Sequence, residues 1–122
     1  MVGQQGLISK RLDQPDETRQ MTNGTVEVVN LGSATVMRAT FAPGWRWSEH
    51  VKPIAQTESC QVAHTGYIVS GRLHIRMDDG TEVEMGPGEA SITPAGHDAW
   101  VVGDEPVVFL DFAGAQTYAK PR

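Results

Sequence analysis

Between Thr25 and Phe112 apolar side chains recur in short alternating runs, and each run is cut off by glycine, proline, aspartate or asparagine. The clearest is Arg72 to Met77, where Leu73, Ile75 and Met77 alternate with Arg72, His74 and Arg76. Side chains of an extended strand alternate between its two faces, so this period sets one face against a dry interior and the other toward water. Asp79-Gly80 follows, and both residue types tolerate the positive φ of a tight hairpin turn, which sends Thr81 to Met85 back as the return strand. The same pattern predicts strands at Val26–Val29, Ala34–Phe41, Thr65–Ser70, Glu89–Thr93, Ala99–Val102 and Val107–Phe112. Asn30-Leu31-Gly32-Ser33, Pro43-Gly44, Gly86-Pro87-Gly88, Pro94-Ala95-Gly96 and Gly103-Asp104-Glu105-Pro106 supply the turns between them. No amphipathic helix of the kind that carries a chain between parallel strands separates these runs. Short strands with regular turn signals predict an all-β sandwich or barrel.

The predicted barrel spans residues 25–113. Before it, residues 1–24 are polar and irregular, and read either as a loose N-terminal arm or as an edge strand that pairs with a second subunit. After it, residues 114–122 form a C-terminal tail. Val51 to Ala63 is a long segment without a strand pattern, placed to act as a lid over the barrel mouth or as a flap onto a neighbour. The whole chain has 122 residues, 39% of them apolar and 20% charged, which matches a single globular domain able to bury its own core. Ten basic and fifteen acidic residues give a net charge of −5, and Arg38, Arg46, Arg72 and Arg76 are scattered among acids, which argues against a nucleic-acid partner. No apolar run approaches the roughly 20 residues of a membrane span. The start lacks the basic and apolar pattern of a secretory signal, so the expected location is cytoplasmic. A single cysteine, Cys60, rules out an internal disulfide framework.

Three of the four histidines stand beside turn residues. His50 follows Gly44 after five intervening residues, His64 precedes Gly71 by six, and His97 ends a Gly88-x5-Pro94-x-Gly96-His97 run. Neutral imidazole is the commonest metal-ligating side chain, and three nitrogens gathered from separate strand ends would leave a coordination position open. The alternative is three unrelated polar residues lining a pocket. In Glu58-x-Cys60-x-Val62-x-His64 the named residues share one face of an extended segment, so Cys60 is a fourth candidate ligand. Thiolate with imidazole suits zinc and similar ions, whereas a lone cysteine otherwise serves as a small buried hydrophobe. Glu58 reads as a solvated loop carboxylate before a further ligand, and His74 as a surface or interface residue. Asp98 and Asp111 are candidates for orienting a histidine, or for capping turns. Trp45, Trp47 and Trp100 read as packing residues before pocket walls. Lys52 is either an exposed lysine or an attractor for a carboxylate. The chain has no Gly-x-Ser-x-Gly elbow, no phosphate-cradling loop and no dinucleotide fingerprint. No evident oxyanion hole accompanies Cys60 and His64 as a nucleophile and base.

Across roughly Thr35 to Phe112 these motifs resemble those of the cupin superfamily, small double-stranded β-helix barrels. The family's motifs read G-x5-H-x-H-x(3–4)-E-x6-G and G-x5-P-x-G-x2-H-x3-N. Gly44-x5-His50 matches the opening of the first, Lys52 falls on its second histidine, and His64 stands for its glutamate after a longer spacer, with x6 to Gly71 kept. Gly88-x5-Pro94-x-Gly96 matches the second, with His97 two residues early and Ala99 in the customary place. A shift of two keeps a strand face, so His97 can still point inward. The resemblance implies one divalent transition metal (zinc, iron, manganese or nickel) held by His50, His64, His97 and optionally Cys60. It implies a homodimer and a small-molecule ligand or substrate. Its first functional reading is a metal-dependent enzyme of oxygenase, isomerase or lyase type acting on a carboxylate or hydroxylated compound. The other is a barrel that binds or senses a small effector without transforming it.

Overall fold

The computed structural model describes residues 6–114 and 118–120; the first five residues of the predicted arm, and 115–117 and 121–122 of the predicted tail, lie outside the described residues. The strands are β1 (Glu17–Met21), β2 (Gly24–Asn30), β3 (Thr35–Phe41), β4 (His64–Ser70), β5 (Arg72–Met77), β6 (Glu82–Met85), β7 (Ala90–Thr93), β8 (His97–Val102) and β9 (Val107–Asp111). Two one-turn helices, α1 (Trp47–His50) and α2 (Lys52–Ala55), lie between β3 and β4.

The strands form two antiparallel sheets, a six-stranded one in the order β1-β2-β3-β9-β4-β7 and a three-stranded one in the order β6-β5-β8. Neighbours such as β3 and β9, or β5 and β8, are far apart in the chain, so the strands cross from sheet to sheet as in a jelly roll. The alternation read from the sequence holds in β2, β3, β5 and β9, while Val83 of β6 and Ile92 of β7 are exposed. Leu73 and Ile75 of β5 are buried, with Val26 and Val28 of β2, Met37, Ala39 and Phe41 of β3, and Val107 and Phe109 of β9. Each such side chain contributes about 1.5–3 kcal/mol when fully removed from water. Trp45 stacks on Phe41 at 3.7 Å between ring centroids, which confirms it as a packing residue. Among the described residues no helix is long and apolar enough to cross a membrane.

Two segments differ from expectation. The polar arm contains β1, which pairs with β2 of the same chain from Glu17↔Val28 to Met21↔Gly24. Its inward position is Arg19, buried at 8% exposure, whose guanidinium pairs with Glu17 and donates through Nη1 to the Tyr118 carbonyl at 2.7 Å. A strand that buries an arginine carries no apolar alternation. The Val51–Ala63 segment is partly helical, with Pro53 in the first turn of α2 and Gln56 ending it at φ 59. Single turns are too short to show a helical period. His50 therefore closes α1 and does not sit on a strand end.

Candidate metal centre

Cys60 and His97 are held opposite one another by backbone. The Cys60 amide donates to the His97 carbonyl at 2.7 Å, and the Gly96 amide donates to the Cys60 carbonyl at 2.7 Å. This isolated antiparallel bridge ties the end of the helical segment to the first residue of β8. Four residues after Cys60, His64 opens β4, locked by pairing with Thr93 of β7. One ligand atom from each of Cys60, His64 and His97 lies within 4.8 Å of the other two, and all three residues are buried.

The hydrogen bonds around the two imidazoles decide which nitrogen is free. His64 Nδ1 donates to Asp111 Oδ2, and its Nε2 lies 3.8 Å from Cys60 Sγ. Asp111, fully buried, accepts at Oδ1 from the amides of Ala113 at 2.8 Å and Gly114 at 2.9 Å. Burial alone would raise its pKa, but His64 and the two amides outweigh it and hold the carboxyl below its ordinary range, as an acceptor. His97 Nδ1 donates to the Pro94 carbonyl at 2.8 Å. Burial lowers the His97 pKa, only partly opposed by that bond, so the imidazole stays neutral. In both rings Nδ1 is committed to an acceptor, so Nε2 is the nitrogen available to a metal. Burial pushes the Cys60 thiol up to about 11, so it is protonated at neutral pH in the absence of a cation.

The donor set fits a metal. Around tetrahedral zinc, bonds of about 2.3 Å to sulfur and about 2.0 Å to nitrogen place the two ligands about 3.5 Å apart, close to the 3.8 Å between Cys60 Sγ and His64 Nε2. Aromatic rings close the surroundings edge-on to His64, Phe109 at 6.1 Å and Tyr118 at 5.2 Å between centroids. Gly114 leaves room for the Asp111–His64 pair, because a Cβ there would lie 2.7 Å from Asp111 Oδ2 and 2.8 Å from His64 Nδ1.

Two spaces meet at this cluster. An inner cavity of about 30 Å³, lined by His64 and His97 among core side chains, is the size of one water or one small ion. A groove of about 1170 Å³ runs outside it along α1, α2 and the following loop, and Cys60 lines it. Trp47 and Tyr118 line both.

The remaining sequence candidates lie elsewhere. His50 is outside the group, and its Nδ1 accepts the Arg46 amide at 3.0 Å. Glu58 is exposed and accepts from Lys52 Nζ at 3.1 Å, which accounts for both side chains. Asp111 orients a histidine, whereas Asp98 holds the Arg46 side chain and the Ser48 amide. His74 stacks on Trp100 at 4.6 Å and bonds Glu82, and Arg46 covers Trp100 at 4.2 Å, so these residues form an outer cluster. Sequence reasoning missed Tyr118, which sits in a tail without periodicity, and Gly114, whose only signal is its place three residues after Asp111.

The family model described as "Cupin domain" matches residues 37–113. Comparison with curated proteins gives no match. Among solved structures, a protein of unknown function from Rhizobium leguminosarum bv. viciae is 24% identical with a TM-score of 0.56, over 82% of this chain and 83% of that one. The polyketide cyclase RemF from Streptomyces resistomycificus is 17% identical with a TM-score of 0.60, over 90% of this chain and 81% of that one. Oxalate decarboxylase from Lactobacillus farciminis, solved as a formate complex, is 17% identical with a TM-score of 0.59 over 84% of this chain, which spans only 32% of that protein. At such identities the structural likeness speaks for the fold, and together with the family match over most of the barrel it establishes that this chain belongs to the cupin family.

Proposed function

We propose that the protein binds one divalent transition metal through Cys60, His64 and His97 and uses it on a small molecule that enters from the adjoining groove. The observation that carries this reading is the shared orientation of the two imidazoles. Asp111 and the Pro94 carbonyl accept from their Nδ1 atoms, which leaves both Nε2 atoms available beside a thiol in a buried group. Among zinc, iron, manganese and nickel, a thiolate with two imidazoles favours zinc and disfavours manganese. His50, included in the set implied by the motif resemblance, has its Nδ1 engaged by the Arg46 amide and is left out of the proposed centre.

Bound there, a divalent cation supplies Lewis acidity toward a carbonyl or carboxylate oxygen. The chain's own residues supply the rest. Asp111 fixes the His64 ring and raises its basicity as a ligand. Burial holds the Tyr118 phenol far above its ordinary pKa, so at neutral pH it offers an O–H donor at the mouth and not a base. The inner cavity is too small for a substrate body, so the substrate lies in the groove and presents one end to the centre. Oxygenase, isomerase and lyase chemistry all begin from that arrangement. RemF and oxalate decarboxylase, named for a polyketide and for oxalate, support an oxygen-rich small molecule. A second copy of the chain is the proposed partner. Tyr67, Val69 and Ile92 are exposed large hydrophobics on β4 and its neighbour β7, and Ile92 is 76% exposed.

Elemental analysis of protein purified without chelators tests the centre. The expected result is close to one equivalent of metal per chain, lost in folded His97→Ala protein. A preparation that is metal-free and refuses added zinc, or full metal content in His97→Ala, overturns it.

A further inference from the structure

Trp47 is 2% exposed, and its indole Nε1 is buried without a hydrogen-bond partner among the described residues. By contrast, the Trp45 Nε1 donates to Met21 Sδ at 3.4 Å. An indole N–H only donates, and a buried donor left unpaired is costly enough that native proteins keep few of them. The side chain that carries it is part of the wall of the functional space, because Trp47 lines both the inner cavity and the groove. Its position is firm, since Trp47 opens α1 and the next amide, Ser48, donates to Asp98 at 3.0 Å.

We infer that Trp47 determines ligand specificity by donating its indole N–H to an oxygen of a small carboxylate that reaches inward from the groove. The cavity of about 30 Å³ admits one oxygen atom and not a molecular body. Tyr118 lines the same boundary, so a second side chain that carries an O–H group stands beside the indole there. The charged residues described in the groove lining are two lysines and one glutamate. Lys52 is neutralised by Glu58, and Lys120 adds a further cation. An acceptor that is also anionic is a carboxylate. Its apolar remainder lies against Val51, Val62 and Ala55. This deepens the proposed function by naming a ligand class, but the indole contact needs no metal.

The test is the Trp47 Hε1 resonance in protein carrying ¹⁵N-labelled tryptophan, titrated with benzoate and separately with benzylamine, metal-free and zinc-loaded. The signal is assigned from its absence in Trp47→Phe, or by through-space contacts in the wild-type protein where that variant does not fold. Benzoate is expected to move the resonance downfield and saturably, and benzylamine to leave it in place. Loss of a bond to a charged acceptor weakens benzoate in Trp47→Phe about tenfold to a hundredfold. A Trp47 resonance that benzoate leaves unmoved in both forms overturns the inference, and the metal centre still stands if zinc binds. A resonance that moves in protein unable to hold zinc supports the inference while the metal reading fails.

Discussion

Replacing Gly114 with alanine tests the centre without touching a ligand. The added methyl would lie 2.7 Å from Asp111 Oδ2, 2.8 Å from His64 Nδ1 and 2.9 Å from Val62 Cγ1. None of these is the free end of a flexible side chain. Asp111 is pinned by His64 and by the amides of Ala113 and Gly114, and His64 by Asp111. The backbone at Gly114 is not left-handed, so the effect isolates crowding. Overpacking of this kind costs about 1–3 kcal/mol. With an unfolding entropy of about 2.1 cal/mol/K per residue over 122 residues, that lowers Tm by about 4–12 °C in the metal-free protein. The methyl also drives the His64–Asp111 pair apart, and disturbing such a partner weakens metal binding about tenfold to a hundredfold. Thermal unfolding by circular dichroism reads the first effect, and competition for zinc against a chromophoric chelator reads the second. A Gly114→Ala protein with unchanged Tm and unchanged zinc affinity refutes the packing argument. A lower Tm with unchanged zinc affinity refutes the assignment of Asp111 as the group that orients a ligand.

Binding of zinc should release close to one proton from Cys60, whose thiol sits near 11; affinity then rises about tenfold per pH unit between pH 7 and 9, and calorimetry in buffers of different ionisation enthalpy should show that release vanish in Cys60→Ala. His50→Ala should keep its full metal content by elemental analysis, because the ring serves the Arg46 amide outside the cluster. Stability of the metal-free protein should fall in acid, as followed by urea unfolding at a series of pH values. The folded His97 lies below its ordinary 6.5, so the unfolded chain takes up that proton first as pH drops through 6.5. Asp111, depressed below 3.8 in the fold, contributes stability that is present above 3.8 and disappears as pH falls through its folded value; a flat profile from pH 7 to pH 3 would contradict both.

Most of the barrel was legible because its strands are half-buried. Leu73 and Ile75 face the core while Arg72 and Arg76 face water, so β5 could be read residue by residue, whereas in its return strand only Met85 is buried. What escaped was structure that does not bury an apolar stripe. Inward-facing Arg19 hides β1 from any hydrophobic alternation, since its burial is satisfied by Glu17 and by a carbonyl near the far end of the chain. The helices escaped because α1 and α2 hold four residues each and are fixed by tertiary contacts, such as Asp98 on the Ser48 amide.

The candidate site divides along the same physical line. His64 and His97 each open a strand beside a turn, and local spacing is enough to place such residues at a barrel mouth. For Cys60 the reading assumed an extended run from Glu58 to His64, so that alternate residues would share a face. Residues 61–63 are not paired in a sheet, yet burial alternates, with Cys60, Val62 and His64 more buried than Gln61 and Ala63; the Cys60 backbone also bridges to His97, thirty-seven positions further along the chain. The face argument holds from Cys60 to His64 and fails at Glu58, which is exposed. His50 shows the converse: its spacing from Gly44 fits the first motif, yet a single helical turn redirects the ring onto the Arg46 amide. A motif fixes separations along the chain, whereas a ligand set depends on directions in space. In this barrel a single turn of helix and one backbone bridge separate the two.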